Sequence, residues 1–284
     1  MECAWPVAAV LGEGPMWSPD GTLWFVDIKG QRIHAFEEAS GATRSFTTPE
    51  YAAFVFRDAR GGLICGLRSG LHRFDPATGQ FSRVATVDAA HPSNRLNDGF
   101  VDAQGRLWFG TMDNEERASS GSLYRFARDR LERMDGGYVI TNGPAMSPDG
   151  KVLYHVDTQQ CCVHAFDVDT RGALSGKRLF LQLTEPDVYP DGPAVDGAGN
   201  VWVAMFGGWA VRCYSPQGDF IRSIDLPVSQ CTKAAFGGPD LRTLYITTAT
   251  VGLSDAQLAR QPLAGGLFRA RVDIAGLVAN EFAG

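Results

Sequence analysis

Four residues able to hold a cation or move a proton recur at one place in a repeat. Glu13, Asn97, Asn142 and Asp191 stand in Glu13-Gly14-Pro15, Asn97-Asp98-Gly99, Asn142-Gly143-Pro144 and Asp191-Gly192-Pro193. Each lies ten positions upstream of an apolar strand core, at Leu23, Leu107, Val152 and Val201 respectively. The same phase before Leu63 and Thr243 holds Ala53 and Lys233, so two copies bring no carboxyl or amide. Two carboxylates with amide carbonyls form an all-oxygen set, which suits a hard divalent cation with water completing its shell. No Cys or His falls at this phase, which argues against a structural zinc centre. Ca²⁺, Mg²⁺, Mn²⁺, Fe²⁺ and an oxygen-liganded Zn²⁺ all satisfy the donor list. Asn-Gly and Asp-Gly are also ordinary turn formers, because Asn and Asp tolerate the left-handed region and Gly supplies positive φ. Glu13 is no turn former, and four turns choosing oxygen-bearing side chains at one phase favours a site.

What must position these residues is the repeat itself. A turn followed by an apolar–aromatic–apolar run returns as Gly21-Thr22-Leu23-Trp24-Phe25, Gly61-Gly62-Leu63-Ile64-Cys65 and Gly105-Arg106-Leu107-Trp108-Phe109. It recurs in Gly150-Lys151-Val152-Leu153-Tyr154 and Gly199-Asn200-Val201-Trp202-Val203, with a worn copy in Leu241-Arg242-Thr243-Leu244-Tyr245. The spacings between Leu23, Leu63, Leu107, Val152, Val201 and Thr243 are 40, 44, 45, 49 and 42 residues. Within the first unit, Pro15–Trp17, Leu23–Ile28, Arg32–Phe36 and Thr43–Thr47 read as four short strands punctuated by Gly turns. Repeats of this length and content indicate radial four-stranded sheets. The expectation is an all-β, six-bladed β-propeller of four-stranded antiparallel blades forming a single domain over residues 1–284. The segment Cys3–Val10 is expected to supply the outer strand that closes the last blade. Only Ser254–Gln261 reads as helix, with Ser254 as its N-cap.

In such a blade the tetrad residues enter the innermost strand, so all four should crowd the axis at one mouth. Arg95, just before Asn97, should reach the same mouth. The loop Asp113–Ser120, Phe206–Trp209 and the helical insert belong to that rim. Within the loop, Glu115 is the candidate for the site, while Glu116 and Arg117 read as solvated charges. The Ser-Pro-Asp-Gly turns at 18–21 and 147–150 belong to the opposite rim and read as structural.

Other chemistries are excluded. A net charge of −6 with no basic run gives no electrostatic footprint for nucleic acid. No stretch approaches a membrane span of about 20 apolar residues. The first residues carry no positive, apolar leader, and the six cysteines show no CxxC spacing, so a reducing, cytoplasmic setting is expected. There is no nucleophile elbow, HExxH, phosphate-binding loop or dinucleotide fingerprint. The five histidines lie off the tetrad phase.

Leu11–Trp17, Asn94–Gly99, Leu107–Met112, Thr141–Gly150, Tyr189–Asp196 and Phe236–Tyr245 together resemble the regucalcin/gluconolactonase (SMP-30/gluconolactonase/LRE-like) family. The texture is most similar to bacterial sugar-acid lactonases. The resemblance implies one catalytic divalent metal at the channel mouth, Ca²⁺ by family habit, held by Glu13, Asn142 and Asp191. It implies substrate contacts from Arg95, Asn97 and Glu115, and opening of a small polyhydroxylated sugar lactone of the gluconolactone, xylonolactone or arabinonolactone type. A lactone is a cyclic ester, so Asp191 is the candidate general base for an attacking water. Lys233 has no family role and reads as a partner for substrate oxygen or for a carboxylate. The competing readings are a non-catalytic calcium-binding propeller and a lactonase or esterase for other small esters. The protein is expected as a monomer or small homo-oligomer.

Overall fold

A computed structural model describes all 284 residues. The fold is all-β and propeller-like, and its only helix is Asp255–Arg260. Ser254 caps that helix: its hydroxyl accepts the Gln257 N–H, and the Gln257 side chain accepts the Ser254 N–H in return.

The innermost strands are Gly12–Trp17, Ala52–Arg57, Asn94–Val101, Thr141–Met146, Tyr189–Val195 and Cys231–Gly237. They neighbour one another in chain order around an axis, and the last packs back on the first. The next strands outward (Thr22–Asp27, Leu63–Leu67, Leu107–Asp113, Val152–Asp157, Val201–Phe206 and Thr243–Thr248) are almost wholly buried. They read as continuous apolar runs because both faces are covered by neighbouring sheets. The outermost strands, such as Thr43–Thr47 and Phe220–Asp225, are mostly exposed.

The expectation of six separate four-stranded blades is corrected by the hydrogen bonding. Four sheets are separate four-stranded blades, spanning Gly12–Thr47, Ala52–Thr86, Asn94–Tyr138 and Thr141–Gln182. The other eight strands form one sheet. It runs from Glu2–Trp5 through Leu267–Arg271, Thr243–Thr248 and Cys231–Gly237 to Tyr189–Val195, and on to Val201–Phe206, Ala210–Tyr214 and Phe220–Asp225. The two halves join through a parallel pairing of Gly192 with Lys233. Gly192 makes that approach possible: a Cβ there would meet Lys233 Cγ at 2.6 Å and its Cβ and Cδ at 2.8 Å. The strand Glu2–Trp5 pairs antiparallel with Leu267–Arg271, so the start of the chain forms the outer edge of this sheet.

Every innermost strand carries a register shift at the repeat phase. The shifts fall between Glu13 and Met16, Ala52 and Phe54, Leu96 and Gly99, Asn142 and Ala145, Pro190 and Pro193, and Cys231 and Lys233. A β-bulge bends its strand and re-aims a side chain. Here the bulges set the direction of the tetrad.

Candidate metal and substrate site

Glu13, Arg95, Asn97, Asn142 and Asp191 line one cavity of about 320 Å³, within the usual size of small-ligand sites. Leu11, Met112, Ile140, Tyr189, Phe206 and Val251 give it apolar walls, and Lys29, Glu116, Thr158 and Gln159 add polar ones. Glu13, Arg95, Asn97, Asn142 and Asp191 are each less than 10 % exposed.

Each carboxylate spends one oxygen on its own bulge. Glu13 Oε2 accepts the Gly14 N–H at 2.7 Å, and Asp191 Oδ1 accepts the Gly192 N–H at 2.9 Å. Neither takes part in an ion pair. Burial, then the neighbouring Asp98 carboxylate, push the Glu13 carboxyl up to about 8 against the pull of Lys233. Burial, then Glu13 and Asp98, hold Asp191 well above the ordinary carboxylate range.

The amides are locked by each other. Asn97 Nδ2 donates to Thr141 O at 2.6 Å and to Asn142 Oδ1 at 2.9 Å, while Asn97 Oδ1 accepts from Arg95 Nη1 at 2.5 Å. Asn142 Nδ2 donates to Thr158 Oγ1 at 2.9 Å. This chain fixes both flips, and it leaves Asn142 with its oxygen, not its NH₂, toward Asn97. Burial brings the Arg95 guanidinium down to about 10, and its Nε has no partner.

Beneath this layer lies a buried ion pair. Lys233 Nζ pairs with Asp98 Oδ1 and donates to Gly99 O at 3.2 Å, and Asp98 Oδ2 accepts the Gly143 N–H at 2.7 Å. Gly143 has φ +76°, a conformation glycine enters without strain. Of the two roles open to Lys233 in the sequence, the structure gives it the carboxylate.

The donor set fits a hard divalent cation. Two desolvated carboxylates, each with a free oxygen and neither with a cationic partner, lack the positive charge that a buried pair needs. An amide oxygen stands with them, and all three donors are hard. No three His, Cys, Asp or Glu side chains gather into a metal-binding cluster anywhere in the chain. The set therefore depends on the Asn142 carbonyl as its third member.

Glu115 does not join this cavity. It is exposed, and its Oε1 accepts from Asn114 Nδ2 at 3.3 Å. The cavity is lined by Glu116, read from sequence as a solvated charge. Glu116 has φ +58° and, like Glu115, is exposed, so it lines the cavity from the rim. Lys29, Thr158 and Gln159 were missed as well. All three sit in turns leaving the second strand of a sheet, ahead of the third, where no repeated signature marks them. Trp209 is 44 % exposed and lies outside the cavity wall, while Phe206 lies in it.

The family model described as the SMP-30/gluconolactonase/LRE-like region matches residues 11–250. The chain belongs to this family. It is 36 % identical over 288 residues to a 6-deoxy-6-sulfogluconolactonase of Pseudomonas putida, spanning 100 % of this chain and 99 % of that one. It is 36 % identical over 281 residues to an L-arabinolactonase of Azospirillum brasilense, spanning 96 % and 92 %. Among solved structures it is similar to regucalcin, a calcium-binding protein of Agrobacterium tumefaciens, with a TM-score of 0.95, 29 % identity and coverage of 99 % and 96 %. No helix of the chain is long and apolar enough to cross a membrane.

Proposed function

We propose that this protein, acting as one domain over residues 1–284, opens an aldonolactone to its aldonic acid. The observation that carries the reading is the pair of unpaired buried carboxylates, Glu13 and Asp191, in one cavity with Asn142, Asn97 and Arg95. The lactonases among its relatives support the same reaction class. Glu13, Asn142 and Asp191 are suited to hold one divalent cation, which when bound supplies Lewis acidity toward the lactone carbonyl. Asp191 has a free oxygen and a raised proton affinity, both needed by a base that takes the proton of an attacking water. As the water oxygen bonds to the carbonyl carbon, the ring C–O bond breaks and the ring oxygen takes up a proton. Arg95, held by Leu96 O and Asn97 Oδ1, faces the cavity with donors to spare for sugar hydroxyls. The apolar wall of Leu11, Met112, Ile140 and Val251 limits the water around the reacting ester.

The test is acid release from a panel of neutral and charged aldonolactones, each with Ca²⁺, Mg²⁺, Mn²⁺, Fe²⁺ or Zn²⁺ added to chelator-stripped protein. Activity is expected only with a divalent cation, and Asp191→Asn is expected to lower kcat by roughly 10²–10⁴-fold. Full turnover by the stripped protein removes the metal from the reaction. Cation binding without turnover of any lactone leaves a calcium-binding protein instead.

A further inference from the structure

The carbonyl just before each proposed metal ligand accepts a hydrogen bond from a side chain of the neighbouring sheet. Gly12 O accepts from Thr232 Oγ1 at 2.6 Å, Thr141 O from Asn97 Nδ2 at 2.6 Å, and Pro190 O from Thr158 Oγ1 at 2.9 Å. Two of these donors also grip a ligand side chain, and both grip Asn142. Asn97 Nδ2 takes its oxygen at 2.9 Å, and Thr158 Oγ1 takes its NH₂ at 2.9 Å. Thr158 is buried in the turn after the strand Val152–Asp157. Its N–H donates to Ile140 O at 3.2 Å, and its carbonyl accepts the Cys161 N–H at 3.0 Å, so its own place is fixed.

The polarity of the Thr158 bonds is forced. A carbonyl only accepts, so the single hydroxyl proton goes to Pro190 O. The hydroxyl oxygen is then left to accept, and the group of Asn142 that faces it must be the NH₂. The Asn142 oxygen therefore points away from Thr158, with one lone pair taken by Asn97 and the other free for a cation. Resting on the reading of Asn142 as a metal ligand, we infer that Thr158 is a positioning residue of the metal centre. Its hydroxyl, oriented by Pro190, fixes the Asn142 amide so that oxygen and not nitrogen meets the cation. A carboxylate ligand needs no such partner, because both of its ends are oxygen. The amide does, since its NH₂ end offers a cation no lone pair.

The test is calorimetric titration of Ca²⁺ into chelator-stripped full-length chains, with Mn²⁺ or Zn²⁺ in its place where Ca²⁺ does not bind. Thr158→Val keeps the shape of the side chain and removes the hydroxyl. Its cation affinity is expected to fall roughly 10–100-fold, as for loss of other outer partners of metal ligands, and Thr158→Ser should restore most of it. Thr158→Ala makes the same comparison if Thr158→Val does not fold. Asn142→Asp has no NH₂ to misplace, so adding Thr158→Val to it is expected to leave its affinity where it was. An equal loss in both backgrounds puts the effect in the Pro190 bond, and an unchanged affinity in Thr158→Val removes Thr158 from the centre. Either result overturns the inference while lactone opening stands. A native chain that binds none of the three cations overturns the metal reading beneath it as well.

Discussion

At the scale of single residues, the site concentrates unfavourable charge and stores the cost in Glu13 and Asp191. Glu13 holds its proton to about pH 8 in the fold, against an ordinary value of 4.5. A carboxyl raised in this way stabilises the metal-free fold fully below its unfolded value and loses that contribution as pH rises through the folded one. Asp191 acts in the same sense. The chelated protein is therefore expected to lose several degrees of Tm between about pH 5 and pH 8, and Glu13→Gln should flatten much of the decline. Saturation with a divalent cation should raise Tm most at the alkaline end, where the carboxylates are ionised. Thermal unfolding followed by circular dichroism across that range checks all three. A native Tm that is flat or rising with pH, with chelator present, contradicts the burial-driven shift.

At the scale of elements, the repeat phase was legible because it is the phase of a backbone device. Gly or Asp-Gly after each tetrad residue marks a bulge, and the bulge is what points Glu13, Asn97, Asn142 and Asp191 into one cavity. The strand order inside each sheet was legible too, from apolar runs broken by Gly turns. The joining of two sheets into eight strands was not, since it depends on Gly192 admitting the Lys233 strand at one residue, and no periodicity encodes that approach. That Glu116 and not Glu115 lines the cavity was equally hidden, because the two are adjacent exposed acids in one polar loop. Lys233 itself ties the joined sheet to the third blade through Asp98, which in turn holds Gly143 of the fourth. Both charges are buried, at 7 % and 0 % exposure. Lys233→Met strands the Asp98 carboxylate and is expected to cost about 3–5 kcal/mol in urea unfolding. Adding Asp98→Asn to that variant should recover a substantial part, since the orphaned charge is gone. If the double variant is no more stable than Lys233→Met alone, the loss comes from packing and the ion pair is not its source.

At the scale of the whole molecule, the two ends of the axis are treated oppositely. The mouth with the carboxylates is polar and open to substrate, while the other end holds an apolar cavity of about 130 Å³ lined by Trp17, Phe56, Phe100, Phe236 and Leu277. Residues 275–284 cross this second end as a strap. Ala275 O accepts from Gly197, Gly276 donates to Leu241 O, and Asn280 Nδ2 donates to Val101 O at 3.0 Å. Farther on, Phe282 pairs with Arg57 and Ala59, Ala283 donates to Gly105 O, and Gly284 O accepts from Arg128. The strap thus bonds to the joined sheet and to the second and third blades, which are not covalent neighbours of the chain's last strand. Its anchor is Phe282, fully buried and stacked on Phe126 with centroids 5.9 Å apart. Phe282→Ala removes that anchor and leaves a cavity, at an expected cost of about 3–5 kcal/mol. Because the strap lies at the apolar end, the lesion should appear as a lower Tm and faster inactivation on heating, with kcat/KM at low temperature retained by the folded protein. Paired thermal-unfolding and low-temperature rate measurements separate these effects. A large fall in kcat/KM at a temperature where the variant is still folded would show that the two ends of the channel are mechanically coupled, and that the strap acts on the site rather than only closing the ring.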